Sequence, residues 1–542
     1  MFCDPYCQPE AILSETFSSL DWIVLAAYFL MTMSVGFFFH RKSSSIEGFT
    51  AGGRSLPGWV CGLSIFATYL SSISFLALPG KSYSSDFNAF VFSLSLPVAA
   101  YVAVRFFLPY YRSTTDVSAY AHLERRFGIW ARIYASITYL LTQMMRMGMV
   151  MYLMALPLSI LLDIDIRLVI LATGISVTVY SFLGGVIAVI WADAIQAIIL
   201  IAGALTCLMV ILFGLPHGPA QLFDIASQHD KFSLGDFAFT PAASTFWVVL
   251  VYGIVMNLQN FGIDQSYIQR YIASKSARQA AKSVWLGALL YIPVSALFLF
   301  IGTGLFAYYR THPADLQPVK NIVAAQQLAS DDITPDSQGY DSLLADKLAN
   351  LSDADIADKV FPHFIGTALP AGVTGLLIAA IFSAAMSTVS TSLNSSATLI
   401  MTDWHKRFIR PNASERQSMI VLYAATVACG IIGTSVAFMC ISVKSALDTW
   451  WKMSGIFGGG MLGLFLLGMI SRRAKNAPAA TAVSLGLVVI CWMTLSLAPS
   501  KLPLSLRCPF HAFMIPVAGT LTILLTGLLI TRILASRRNA SD

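Results

Sequence analysis

Oxygen-bearing side chains recur at helical spacing in the stretch LIAAIFSAAMSTVSTSLNSSATLI. Ala384, Ser387 and Thr388 stand at i, i+3 and i+4 and share one face of a helix. Ser387, Ser390 and Thr391 repeat the spacing one turn on. One carbonyl and two hydroxyls make a neutral oxygen set that suits a monovalent hard cation; a divalent ion would want carboxylates as well. Small residues also let helices pack closely in lipid, but seven hydroxyls between 387 and 397 exceed what packing requires. A second polar cluster, Thr68, Tyr69, Ser71, Ser72 and Ser74, lies in GLSIFATYLSSISFLALPGKSY ahead of Pro79-Gly80. It reads either as an interrupted helix whose freed carbonyls can hold a cation or as hydroxyls bonded back to their own helix. Arg146 sits mid-way along an apolar stretch that carries no acid. A guanidinium there can clamp a carboxylate bidentately; a structural ion pair is the alternative. Asp193, in GGVIAVIWADAIQAII, reads as an ion ligand, a proton carrier or an interfacial cap, whereas Asp448 and Lys452, at i and i+4, read as each other's partners.

Composition sets the solvent around these groups. Of 542 residues, 56% are hydrophobic and 11% charged, against about 25% charged in soluble domains, so lipid is the natural surrounding. About 20 apolar residues cross a bilayer. Thirteen stretches qualify, near 20–39, 58–82, 88–109, 131–160, 166–184, 187–213, 243–264, 281–309, 370–403, 417–442, 447–471, 478–498 and 511–533. The division at 184–187 rests on the turn signal Gly184-Gly185. With the N-terminus outside, the inner loops hold 21 Lys and Arg and the outer loops 10, as cytoplasmic loops require. The chain is therefore expected to be a single all-α integral membrane domain, 1–542, in a plasma (inner) membrane, with a cytoplasmic C-terminus. The first stretch is too long for a signal-peptide core and reads as a retained span. The segment 310–369, with nine Asp and no Glu, reads as a solvated external loop with a short amphipathic helix near 340–350.

Of eight cysteines, Cys61, Cys207, Cys429 and Cys491 lie in apolar runs and read as buried, while Cys3, Cys7 and Cys508 leave a disulfide open. Neither a metal-ligand spacing, nor an activated nucleophile, nor a phosphate loop is present in the sequence, so an enzyme is not expected, and no nucleic-acid partner is either. The few residues after Thr531 leave little room for a signalling domain, which favours a carrier over a sensor.

Five stretches in order resemble the sodium/solute symporter family, closest in look to its bacterial sialic-acid transporters. They are FATYLSSISFLALPGKSYSSDF (66–87), SAYAHLERRFG (118–128), YSFLGGVIAVIWADAIQ (180–196), QSYIQRYIASKS (265–276) and LPAGVTGLLIAAIFSAAMSTVSTSLNS (369–395). The resemblance runs from about residue 20 to 475. It implies a five-plus-five inverted repeat over about 58–471, one extra helix before (20–39) and two after (478–498 and 511–533). It further implies sodium-coupled import of a small anionic solute by alternating access. A first sodium site falls on the carbonyls of Ala67 and Leu70 with Ala384, Ser387 and Thr388, and a second on Asp193, Ser387, Ser390 and Thr391. In the solute pocket, Ser71, Ser74 and Arg146 match the sialic-acid transporters. Tyr69 stands where they have Thr, Ala89 where they have an aromatic and Ser93 where they have Gln. The implied solute is sialic acid or a related sugar acid, with a neutral sugar, a small monocarboxylate or sodium-independent uniport as alternatives.

Overall fold

The structure, a computed structural model, describes residues 17–114, 116–162, 164–330, 333–335, 337, 339–441, 458–497 and 502–539. Among them, nine helices are long and apolar enough to cross a membrane, or ten if one pair bent by 56° is a single span. The expected stretches 166–184 and 187–213 lie in Ile166–Gly214 as two helices that join without a loop at Gly185 (φ 52°, ψ −155°), where the sequence put the division. That backbone is open essentially to glycine alone. The stretch 131–160 lies in a 34-residue helix, Ile129–Leu162, about 50 Å long at 1.5 Å per residue. Of 447–471, the Met461–Ile470 helix lies within the described residues; Asp448 and Lys452 lie outside them, as do Cys3 and Cys7.

The helix Val373–Leu399 runs through the centre, and every residue from Leu377 to Leu399 is buried. Its N-terminus is capped from a distance. Asp21, on the helix Ser19–Phe39, accepts the backbone N–H groups of Gly372 (2.8 Å) and Gly375 (2.7 Å) through one carboxylate oxygen. The other oxygen completes a capping box with Ser18. One acidic residue thus satisfies the orphan donors of two helices. The expected break after Thr68 is real but lies earlier than Pro79: the helix Gly58–Tyr69 ends at Leu70, which is extended (φ −88°, ψ 101°), and a second helix starts at Ser72 with Ser71 as its N-cap. Pro79 is carried inside the second helix.

The segment 310–369, expected as a solvated loop with one short helix near 340–350, is largely helical and includes that helix. It forms helices Pro313–Ser330, Tyr340–Asn350 and Asp353–Thr367. Tyr340–Asn350 buries no residue, but the last helix turns Val360, Phe361, Phe364 and Ile365 inward. Phe361 stacks on Phe75 of the broken pair at 5.8 Å, so this acidic segment roofs the break. Cys491, expected to be buried, is exposed on the outer surface of its helix, while Cys61, Cys207 and Cys429 are buried.

Candidate functional site

The break in the chain at Leu70 creates the site. The last helical bond of Gly58–Tyr69 is Leu70 N–H to the Phe66 carbonyl, 3.0 Å, so the carbonyls from Ala67 to Leu70 lie beyond the intrahelical ladder. Arg146 donates from Nη2 to the Thr68 carbonyl at 3.1 Å. Below the break lies a cavity of about 290 Å³, lined by Tyr69, Ser71, Ser74 and Arg146, together with Thr142, Gln143, Asp264, Tyr267 and Tyr291. Ala89 and Ser93 do not line it; Phe92, between them in sequence, does, because successive residues of a helix point about 100° apart. Tyr69 is held by aromatic neighbours, Tyr291 edge-on at 4.5 Å and Phe261 at 5.9 Å, and its hydroxyl donates to Asn257.

Gln143 and Asp264 escaped the sequence reading. Gln143 stands three residues before Arg146 and shares its helix face, a signal that was available. It accepts a hydrogen bond from Ser392 Oγ at 2.7 Å and donates to Asp264 Oδ2 at 3.5 Å. Asp264 separates the helices Phe246–Ile263 and Gln265–Ala273 and caps the second, accepting Ser266 N–H at 2.8 Å. Tyr139 Oη also donates to it, at 3.3 Å. Its charge is therefore met by protein donors at the edge of a cavity that also holds Arg146.

On the central helix most hydroxyls bond back to their own carbonyls: Ser392 to Thr388, Ser395 to Thr391, and Thr388 to Ala384 at 3.1 Å. Ser387 and Ser396 differ: their hydroxyls are buried and make no hydrogen bond, and of the two only Ser387 falls in the expected ion sets. Ala67 and Leu70 are buried at the break, and Ala384, Ser387 and Thr388 are buried on the central helix. Thr68 Oγ1 meets Thr391 Oγ1 at 3.3 Å, which joins the two elements beside these positions.

Asp193 lies fully buried against Arg270, Oδ2 to Nη2 2.7 Å. The same oxygen accepts Ser64 Oγ at 2.6 Å and Thr391 Oγ1 at 3.5 Å. Arg270 also donates to Ser64 Oγ, Thr391 Oγ1 and the Ser266 carbonyl. In the charge count Arg270 belongs to an inner loop; in the fold it is 1% exposed and is the partner of Asp193. The other carboxylate oxygen, Oδ1, is buried without a partner. Asp193 Oδ1 and Ser387 Oγ, both in the second expected ion set, make no short hydrogen bond, and the Ser387 side chain lies near enough to the Asp193 carboxyl to act on it; the hydroxyl can donate to that oxygen, or a cation can take both. Ser390 Oγ instead donates to the Ser387 carbonyl at 3.1 Å.

Freed carbonyls at a broken helix, an unpartnered hydroxyl on the facing helix and an arginine-lined cavity alongside are the geometry of an ion-coupled carrier. The pattern of the sodium:solute symporter family matches residues 49–486. The chain belongs to that family. The symporter is 29% identical to a sodium/sialic acid symporter of Aliivibrio fischeri over 98% of this chain and 96% of that one. It is 30% identical to one of Proteus mirabilis over 88% and 89%. A mouse sodium-coupled monocarboxylate transporter is 27% identical over 89% of this chain and 73% of its own length. Among solved structures, a substrate-bound, outward-open sodium-coupled sialic acid symporter aligns with a TM-score of 0.81 at 28% identity, covering 95% of this chain and 98% of that one. A nucleobase-cation symporter shares the fold at a TM-score of 0.54 and 13% identity. The symporter is thus a multi-pass, all-helical membrane transporter with sodium as its coupling ion.

Proposed function

We propose that the symporter imports a carboxylated solute of the sialic-acid or sugar-acid class, using two sodium sites that share Ser387 of the central helix. The observation that carries this reading is Arg146. It faces a cavity of about 290 Å³ and donates to the carbonyl of Thr68, which lies between the carbonyls of Ala67 and Leu70. A sodium ion held by Ala67, Leu70, Ala384, Ser387 and Thr388 would fix the break, and with it the Thr68 carbonyl and the arginine that a solute carboxylate would reach. Asp193 Oδ1, with Ser387, Ser390 and Thr391, is the set for a second ion. The repeat is read as five plus five helices over 58–471 within one domain, thirteen spans in all, with the N-terminus outside and the C-terminus cytoplasmic.

Uptake into proteoliposomes tests this. Wild type is expected to accumulate N-acetylneuraminate or a related sugar acid only with an inward sodium gradient, and to prefer the acid to its amide. Arg146→Ala is expected to lose that preference at a cost of about 2–5 kcal/mol, the range for a broken buried charge pair, and Arg146→Lys to lose the bidentate fork and weaken binding less. Equal transport of acid and amide by wild type would make the arginine structural. Equal uptake in potassium would leave uniport as the reading.

A further inference from the structure

The last two helices, Asn476–Leu495 and Met514–Asn539, lie outside the ten-helix repeat proposed above, yet the chain joining them and the first turn of the second reach the solute cavity. Leu497, Ala512, Phe513, Ile515 and Pro516 line it alongside Arg146. Phe513 stacks on Tyr252 with ring centres 4.6 Å apart and planes 17° from parallel. Tyr252 belongs to the helix Phe246–Ile263 and packs on Phe92 at 5.6 Å; both of these rings line the cavity too. The stack is anchored: the backbone N–H of His511 donates to the Pro241 carbonyl at 2.8 Å, its ring meets Phe513 edge-on at 4.6 Å, and its Nδ1 accepts the Phe513 N–H at 3.3 Å.

The cavity lining holds a polar set, Arg146, Gln143, Thr142, Ser71 and Ser74, and an apolar and aromatic set, Phe92, Tyr252, Met256, Phe513, Ile515 and Pro516, with Gln259 and Asn260 on the same helix as Tyr252 and Met256. A solute that pairs with Arg146 and extends to Phe513 meets an aromatic ring. Hydroxyls pressed on that ring would lose water without gaining a partner from it, whereas a C–H face or an acyl group packs on it without that cost. We propose that Phe513 is a specificity-determining residue: with Tyr252 it forms an aromatic platform for the apolar face of the solute body, the C–H side of a sugar ring or an N-acyl group, while Arg146 holds the carboxylate. The proposal rests on the carboxylate reading of Arg146.

The test compares Phe513→Ala and Phe513→Tyr with wild type in purified full-length protein, measuring sodium-dependent binding of N-acetylneuraminate, 3-phenylpropionate and nicotinate, with pyruvate as a short acid that reaches Arg146 alone. For the long acid that wild type binds best, Phe513→Ala is expected to weaken binding tenfold or more and Phe513→Tyr to restore it within about threefold. Pyruvate binding is expected to change less than twofold in either variant. The proposal is overturned if Phe513→Ala leaves long acids unaffected, if it weakens long and short acids equally, if Phe513→Tyr fails to restore binding, or if no long acid binds wild type. A wild type that binds the amide of the best acid as tightly as the acid refutes the Arg146 reading instead, while the Phe513 comparison can still be made with that amide.

Discussion

At the scale of single residues, the informative groups are those left without partners. Ser387 is one hydroxyl among seven, and only the fold separates it from neighbours that bond back to their own helix. Ser387→Ala and Thr388→Ala are expected to raise the sodium concentration for half-maximal uptake many-fold while leaving expression intact; unchanged sodium dependence in both would remove the first ion from this helix. Asp193 has two roles on two oxygens, one paired with Arg270 and one open. Asp193→Asn is therefore expected to do more than lower the charge moved per solute. It leaves Arg270 buried and unpaired, which typically costs about 3–5 kcal/mol. Thermal unfolding in detergent is expected to show that loss, and Asp193→Asn combined with Arg270→Gln to regain part of it. A single variant as stable as wild type would mean that the pair adds no stability.

At the scale of elements, the two breaks have different causes. Gly185 turns the chain with a backbone that a side chain would strain, and an added Cβ would lie 2.8–2.9 Å from Phe49. Gly185→Ala is expected to destabilise the protein by about 1–3 kcal/mol through strain alone, with the added contact making it worse; a melting temperature equal to that of wild type would contradict this. The break at Leu70–Ser71 has no such residue and is held instead by Arg146 on the Thr68 carbonyl and by Thr391 on Thr68 Oγ1.

A third element-scale feature is an ion cluster. Arg132 binds Glu124 (2.8 Å) and the buried Asp403 (2.6 Å), and Arg407 binds Glu124 (2.6 Å). It ties the short helix Ala121–Phe127 and the start of Ile129–Leu162 to the segment Ile400–Ile409 that continues the central helix. Burial works to raise the Glu124 carboxyl, but the hydrogen bonds from Arg407 and Arg132 outweigh it and hold the group below its usual value. Because the folded form binds the proton less readily than the unfolded chain, the stabilisation is complete above the ordinary glutamate value of about 4.3. It disappears as pH falls through the depressed one. Glu124→Gln is expected to melt below wild type at pH 6–7, with the gap closing as pH drops below about 4. A gap independent of pH would assign the difference to packing.

At the scale of the whole molecule, the proposed ion and solute positions are joined by short paths. Gln143 lines the cavity and accepts Ser392 of the central helix; Arg146 lines the cavity and donates to a carbonyl of the break. Any ion that orders the break therefore orders the arginine, and linkage requires the reverse with equal strength. Titrating the purified symporter is expected to show sodium tightening the solute by the same factor as the solute tightens sodium. Unequal factors at equilibrium would mean that a third ligand or state takes part. Once coupled, each sodium charge moved across 100 mV contributes about 2.3 kcal/mol to accumulation.

Much of this was legible in one dimension because lipid imposes strong rules on sequence. A backbone that cannot bond to water must be helical across the bilayer, so apolar length alone located most spans, and helical spacing alone put Ala384, Ser387 and Thr388 on one face. Gly184-Gly185 marked a turn because few residues tolerate its backbone. Other features depend on partners far away along the chain. Arg270 looks like a loop cation until Asp193, 77 residues earlier, is brought to 2.7 Å from it. The polar cluster left open whether the helix breaks or its hydroxyls bond back; the break at Leu70 is supported by Arg146, which donates to the freed Thr68 carbonyl from another helix. Phe513, which lines the cavity with Arg146, lies more than 360 residues from it along the chain. Spacing along a helix is a local property that sequence determines by itself. Which polar groups meet, and which hydroxyls are left without a partner, is settled by packing between distant helices, and only the tertiary structure decides it.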